Sequence, residues 1–164
     1  ALELSSRRPD LVNKLALVGT AVPMAVGDVL LEAARDDEDK ARRMIVDWSY
    51  APASHLGNNQ KVPGTWLPGN SMALMRRRAK GVLHNDLAAC KAYLGGLDAA
   101  AKVDAPALVL IGQYDMMTPP KAAQGVLAAL KKSRTETIKD AGHNMTTEAA
   151  DAVLAALWKF ANKC

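Results

Sequence analysis

The sequence predicts an α/β fold: a short parallel sheet of about three strands flanked by helices, with a block of helices inserted after the first strand. Three observations carry this. Residues 11–19 and 106–111 are short, nearly continuous apolar runs of the kind found in buried parallel strands, and residues 134–139 form a third strand-like run. The second and third runs alternate with helical patterns, which is the signature of βαβ units and of right-handed crossovers. Between the first run and the second, residues 22–101 carry helical periodicity throughout.

Residues 1–8 read as the end of a helix, with Leu2 and Leu4 apolar, Arg7 and Arg8 suited to a helix C-terminus, and Pro9-Asp10 stopping it. The first strand, 11–19, ends in Val18-Gly19. Helices are expected from Val26 to Arg35 and from Glu38 to Tyr50, where Ala41, Met44, Ile45 and Trp48 share a face. Asp36-Asp37 places negative charge at the start of the second of these. Residues 51–70 hold three prolines and three glycines and read as irregular. Further helices are expected over 71–80, 82–94 and 97–102. After the second strand come a helix over about 119–131, with Pro119 and Pro120 in its first turn, the third strand, and a helix over about 147–162. Ala150, Val153, Leu154, Leu157 and Trp158 are the expected buried stripe of that last helix. Residues 1–21 and 102–164 thus form a core, and 22–101 a helical cap over the carboxyl ends of the strands, where such sheets place their ligands.

The 164 residues are 49% hydrophobic, enough for one domain with a core, and carry a net charge of +4. Arg76, Arg77, Arg78 and Lys80 concentrate some of that charge. They lack interleaved aromatics and any nucleic-acid motif, so they read as the wet face of a helix and no nucleic-acid partner is expected. Cys90 sits in a helical pattern and Cys164 ends the sequence, which implies neither a disulfide framework nor a metal site and fits a reducing, cytoplasmic setting. No run reaches the ~18 apolar residues of a membrane span, so no membrane association is expected.

Chemistry is concentrated past the second and third strands. Gly112-Gln113-Tyr114-Asp115 follows one, and Asp140-Ala141-Gly142-His143 follows the other. A catalytic imidazole needs a carboxylate on Nδ1 to fix its tautomer and stabilise the imidazolium. One helix and one strand separate Asp115 from His143, a connection that brings both to the same sheet edge. Taken singly, Asp115 also reads as a turn cap and His143 as a loop histidine; the pairing at two strand ends favours a functional reading.

These residues resemble the C-terminal half of an α/β-hydrolase. Residues 1–12 look like the helix after the nucleophile elbow, Leu15-Ala16-Leu17-Val18-Gly19-Thr20 like the sixth strand, and residues 22–101 like the helical cap. Pro106 through Asp115, continuing Met116-Met117-Thr118-Pro119, is similar to the strand and turn bearing the acid, and Ala141-Gly142-His143 to the loop bearing the histidine. The resemblance implies catalytic Asp115 and His143, no cofactor and no metal. Its order, Ser…Asp…His, places the nucleophile a few residues before Ala1, in an N-terminal half of the fold.

Within the chain, Gly69-Asn70-Ser71-Met72-Ala73 nearly matches G-x-S-x-G, but the preceding Thr65-Trp66-Leu67-Pro68 is short and ends in a strand-breaking proline. Ser71 is expected to cap a helix, Ser5 and Ser6 sit in a helix, and no nucleophile is expected here. Val22, Pro23, Met24, Trp48, Trp66, Met72, His84, Met116, Met117 and Met145 are candidates for lining a pocket; methionine adapts to irregular apolar shapes. Two expectations follow. The chain is the acid–base half of a hydrolase acting on an ester or other acyl bond of a small apolar substrate, completed by the half that bears the nucleophile. An Asp nucleophile for epoxide or haloalkane chemistry, a C–C hydrolase and a thioesterase all stay open. Alternatively, it is an inert half-domain that folds by association, with itself or a partner, through the open edge of strand 11–19.

Overall fold

Backbone hydrogen bonding decides where the first strand begins. In the computed structural model, which describes residues 1–57 and 59–162, the Leu15 N–H donates to the Pro106 carbonyl oxygen at 3.0 Å. Strand β1 therefore covers only Leu15–Val18. The expected start at residue 11 is corrected: Pro9–Leu11 is a 3₁₀ turn. Pro9 has its φ fixed near the helical value, and the Arg8 guanidinium holds both carboxylate oxygens of Asp10. Strand β2 is Ala107–Gly112 and β3 is Ser133–Ile138. The order is β1-β2-β3 and both pairs are parallel, with Leu15 opposite Ala107 and Ala107 opposite Ser133.

All six residues of β2 are buried, and the pleat divides them between two cores. Ala107, Val109 and Ile111 join Leu15 and Leu17 of β1 on one face, covered by Leu2, Ala99, Ala100 and Val126. These come from helices α1 (Leu2–Arg7), α7 (Gly96–Ala101) and α8 (Gln124–Ala129). Leu108 and Leu110 point the other way, under Met145 of α9 (Met145–Glu148) and Val153, Ala156 and Phe160 of α10 (Ala150–Asn162).

The segment between β1 and β2 is helical: α2 (Asp28–Asp36), α3 (Glu38–Ser49), α4 (Pro52–His55), α5 (Leu67–Met75), α6 (Val82–Ala92) and then α7. The face of α3 read from the sequence is real. Ala41 is buried with Leu30, Ala33 and Ala34 of α2, and Met44, Ile45 and Trp48 pack against them. Asp37 caps α3, its side chain accepting from Lys40 N–H at 3.1 Å.

Three expectations in this region are corrected. Residues 51–70 are not simply irregular, because Pro52 and Pro68 each stand in the first turn of a helix, where the missing N–H costs nothing. Since α5 starts at Leu67, Ser71 lies inside the helix rather than capping it. The basic cluster Arg76, Arg77, Arg78 and Lys80 is not on a helix face but in the exposed turns after α5, with Arg76 paired to Asp39 at 3.1 Å.

Toward the C-terminus the expected 119–131 helix divides into a 3₁₀ turn, Pro120–Ala123, and α8. The expected 147–162 helix is broken at Ala149 (φ −144°, ψ 52°) into α9 and α10. The buried stripe of α10 is Val153, Ala156 and Phe160 with Leu157 beside it, whereas Leu154 and Trp158 are 63% and 69% exposed and Ala150 is exposed as well. Among the described residues no helix is long and apolar enough to cross a membrane. Cys164 lies outside the described residues, and Cys90 is a half-buried free thiol.

The two-sided burial of β2 sets an expected mutational contrast. Leu108→Ala empties a fully buried site and should lower stability by about 2–5 kcal/mol, while Leu154→Ala on the exposed side of α10 should stay within about 0.5 kcal/mol. Urea unfolding of the two variants measures the difference.

Candidate active site

Because the strands are parallel, the chain leaves all three at the same edge of the sheet, and three short loops meet there. β1 runs into Gly19, whose N–H closes the ladder on the Leu110 carbonyl oxygen at 2.9 Å and whose φ of +59° suits a residue without a side chain. β2 runs into the loop carrying Asp115, and β3 into the loop carrying His143. The second and third loops are stitched by backbone hydrogen bonds, from Gln113 N–H to Ile138 C=O at 3.1 Å and from Tyr114 N–H to Ala141 C=O at 2.9 Å. The turn between β3 and the histidine passes through Asp140 at φ +58°, a conformation Asp tolerates better than most residues. Its N–H is held by the Gln113 side chain at 3.0 Å.

The two residues singled out from the sequence meet in this corner. His143 Nδ1 lies 2.9 Å from Asp115 Oδ2. The Asp115 side chain is fully buried and that of His143 about one-third exposed. Thr118, read from the sequence only as part of the turn bearing the acid, completes the carboxylate's coordination. Its N–H donates to Oδ1 at 2.8 Å, and its hydroxyl lies 2.8 Å from Oδ2, 2.9 Å from the Gly19 carbonyl oxygen and 3.1 Å from His143 Nδ1. A buried carboxylate with three such partners is held in one orientation. Among the described residues every hydrogen bond of the imidazole is made by Nδ1, and a neutral ring that donates from Nδ1 to the carboxylate has its lone pair on Nε2. That is the tautomer a general base requires.

Close backbone packing fixes the corner. A Cβ on Gly19 would lie 3.1 Å from both Cε1 and Nδ1 of His143, one on Gly112 would lie 2.1 Å from the Gly142 carbonyl oxygen, and one on Gly142 would lie 2.6 Å from the Ser49 carbonyl oxygen. The C-terminus of α3 docks onto both loops: its unsatisfied carbonyls at Trp48 and Ser49 accept from Met116 N–H at 3.3 Å and Asn144 N–H at 3.0 Å.

A cavity of about 320 Å³ opens beside the imidazole, lined by Ile45, Val46, Ser49, Ser71, Leu74, Met75, Met117, His143 and Asn144. Its walls are mostly aliphatic and thioether, supplied by α3, α5 and the acid loop. Of the residues read from the sequence as pocket lining, Met117 reaches this cavity. Val22 and Met145 do not, being buried in the two sheet cores. Trp48 packs into the α2–α3 cluster, and Met72 into a second cluster with Val46, Tyr50 and Leu67. Trp66 is exposed, its ring stacked over Gly69. Met24 and His84 are half-buried elsewhere and Pro23 is exposed. Met116 points into a separate, wider cavity with Tyr50, His55, Leu56 and Tyr114. Ser71 does line the imidazole cavity, where its hydroxyl is hydrogen-bonded to the buried Tyr50 hydroxyl. The α3 residues Ile45, Val46 and Ser49 were legible only as helix periodicity, which does not say which face meets a cavity.

Comparison with known proteins agrees with this architecture. A family model described as the alpha/beta hydrolase fold matches residues 1–150. The chain belongs to the α/β-hydrolase fold family. Among solved structures it resembles a thermophilic esterase at 25% identity, with a TM-score of 0.76 over 96% of this chain and 59% of that one. It also resembles an enol-lactonase from Burkholderia xenovorans LB400, with 21% identity and a TM-score of 0.83 over 99% of this chain and 61% of the other. An esterase from Exiguobacterium antarcticum matches at 18% identity and a TM-score of 0.76, covering 93% and 58%. The chain thus spans about three fifths of the length of these α/β-hydrolase structures. No curated protein matches it in sequence.

The closeness of Gly19 to the imidazole is testable. Gly19→Ala places a Cβ in the left-handed region and against His143, and should cost about 1–2 kcal/mol from the backbone alone. Denaturant unfolding reads that loss, and a shift of the His143 ring resonances in an NMR spectrum of the folded variant reads the displacement.

Proposed function

We propose that this chain supplies the acid and the base of an α/β-hydrolase triad that cleaves an ester or other acyl bond of a small apolar substrate, once an N-terminal half of the fold brings the nucleophile. The hydrogen bond between Asp115 and His143 at the carboxyl ends of β2 and β3 carries the reading. In this reading the helical segment over 22–101 is the cap, and the cavity beside His143 takes the apolar part of the substrate. The esterases and the lactonase it resembles are in keeping with acyl chemistry.

Nε2 of His143 takes the proton of the nucleophile's hydroxyl as that oxygen attacks the acyl carbon, and Asp115 stabilises the imidazolium that results. The same proton then passes from Nε2 to the leaving alcohol, and the cycle repeats with water. Thr118 keeps Oδ2 aimed at Nδ1 throughout. The nucleophile comes from outside the described elements. Ser5 and Ser6 lie in α1 with hydroxyls bonded to the carbonyl oxygens of Ala1 and Glu3, and Ser71 lies inside α5 with its hydroxyl on Tyr50. None follows a strand, as a nucleophile elbow must.

A second reading, an inert half-domain held by association, draws on one observation: β1 pairs on a single side and leaves Ala16 exposed. Such an edge is a template for another strand.

The two readings divide on turnover of short p-nitrophenyl esters. The chain alone should show no burst and negligible turnover. Joined to, or mixed with, a strand-and-serine N-terminal half of the fold, it should reach enzyme rates of about 1–10³ s⁻¹. Asp115→Asn should then lose about 10⁴-fold in kcat, and His143→Ala about 10⁶-fold, down to a small residual rate. Failure of the completed fold to turn over, together with stable dimers of the chain alone in sedimentation, would favour the second reading. Ordinary turnover by the chain alone that Ser71→Ala removes would place the nucleophile at Ser71 instead.

A further inference from the structure

Glu148 is the one ionisable residue among the largest fully buried side chains, with 0% of its surface exposed, and the mechanism leaves it unused. A carboxyl group in such a place is tolerated only when its oxygens are saturated by donors. Here the donors come from two different parts of the chain. Oε2 accepts from the N–H of Gly142, the residue immediately before His143, at 2.7 Å. Oε1 accepts from the Ala51 N–H and the Ser54 hydroxyl, each at 2.8 Å, at the start of α4. Asn59 adds a bond from its side-chain amide to the Glu148 carbonyl oxygen at 3.1 Å and another to the Ser54 hydroxyl at 3.2 Å. One carboxyl group therefore clips the turn into α4 to the histidine loop, across a sequence separation of 97 residues at Ala51.

We infer that Glu148 is a positioning residue for His143, and that through it the α3–α4 connection and the histidine loop move as one unit. This rests on the reading of His143 as the base. The geometry on either side of the clip leaves no slack. The Gly142 Cα is pressed between the Gly112 backbone and the Ser49 carbonyl, where a Cβ would lie 2.6 Å away. Two residues on, beyond His143, the Asn144 N–H is bonded to that same Ser49 carbonyl oxygen. Rotation of the Gly142 peptide would carry the imidazole off Asp115, and Glu148 is the group that holds this peptide's N–H. Because Val46 and Ser49, which line the cavity beside His143, end the helix leading into Ala51, a change at the α4 turn reaches the base through the same carboxyl. The coupling makes the set of the imidazole depend on the packing of the segment that encloses the cavity.

The test uses this chain and needs neither nucleophile nor substrate, so its outcome is read separately from the success or failure of the hydrolase reading. In Glu148→Gln one acceptor oxygen is replaced by an NH₂ group that faces donors. Held well below its melting temperature, this variant should show amide exchange at least tenfold faster over both 141–144 and 51–56. Its His143 Nδ1–H resonance should be broadened or lost, while the amides of β2 stay protected. Ser54→Ala, a mild change that keeps the carboxyl and serves if Glu148→Gln does not fold, should speed exchange about fivefold over 51–56 and measurably at Gly142. A Glu148→Gln protein with a lower melting temperature but unchanged exchange at 141–144 and an unchanged His143 resonance would show a merely structural role and overturn the proposal. So would a Ser54→Ala protein whose faster exchange stops at 51–56.

Discussion

Parallel pairing on both sides of β2 is the constraint from which the rest of the molecule follows. A strand buried on both faces by apolar side chains has only its two edges for hydrogen bonding. β1 and β3 take one each, in the same direction. The connections must then cross over the faces, which puts α7 and α8 on one side, where α1 joins them, while α9 and α10, which follow β3, cover the other. The loops that leave the carboxyl ends are forced into one place. Gly19, Asp115 and His143 are remote in sequence and adjacent in space because of that single geometric fact.

Within the corner, polar satisfaction replaces hydrophobic burial as the organising force. Asp115 and Glu148 are both buried carboxyl groups, and each is surrounded by donors from separate segments. Asp115 collects Thr118 and His143, and Glu148 collects Gly142, Ala51 and Ser54. Leaving a buried donor or acceptor unpaired costs about 1–3 kcal/mol, so each network resists partial opening. Missing side chains matter as much. The backbones of β2, the histidine loop and the end of α3 come together at Gly112 and Gly142, where any Cβ would collide with a carbonyl oxygen.

The parts of this arrangement that were legible in the sequence are those with a local signature. The apolar runs, the turn glycines after them, and an acid and a histidine just past two strands located the sheet edge and the pair at it. Prolines misled where their position mattered more than their identity: Pro52 and Pro68 begin helices instead of breaking them. The stripe of the last helix was misread because Leu154 and Trp158 are apolar yet exposed, and apolar character alone does not tell the core side of a helix from its flank. The cavity was least legible. Val22 and Met145 belong to the sheet cores and Met117 to the cavity wall, and nothing in an apolar side chain distinguishes lining a cavity from filling a core. Glu148 escaped notice for the opposite reason, since a glutamate in a helical stretch reads as solvent-facing until burial is known.

The central claim is that Asp115 and His143 act as one catalytic unit, which is a statement about coupling more than about proximity. A double-mutant cycle with Asp115→Asn and His143→Ala in the fold completed by its nucleophile half measures it most directly. Residues that share one function lose it once, so the double variant should turn over a p-nitrophenyl ester no more slowly than His143→Ala alone. Losses that multiply, with Asp115→Asn costing as much in the absence of the imidazole as in its presence, would contradict the account.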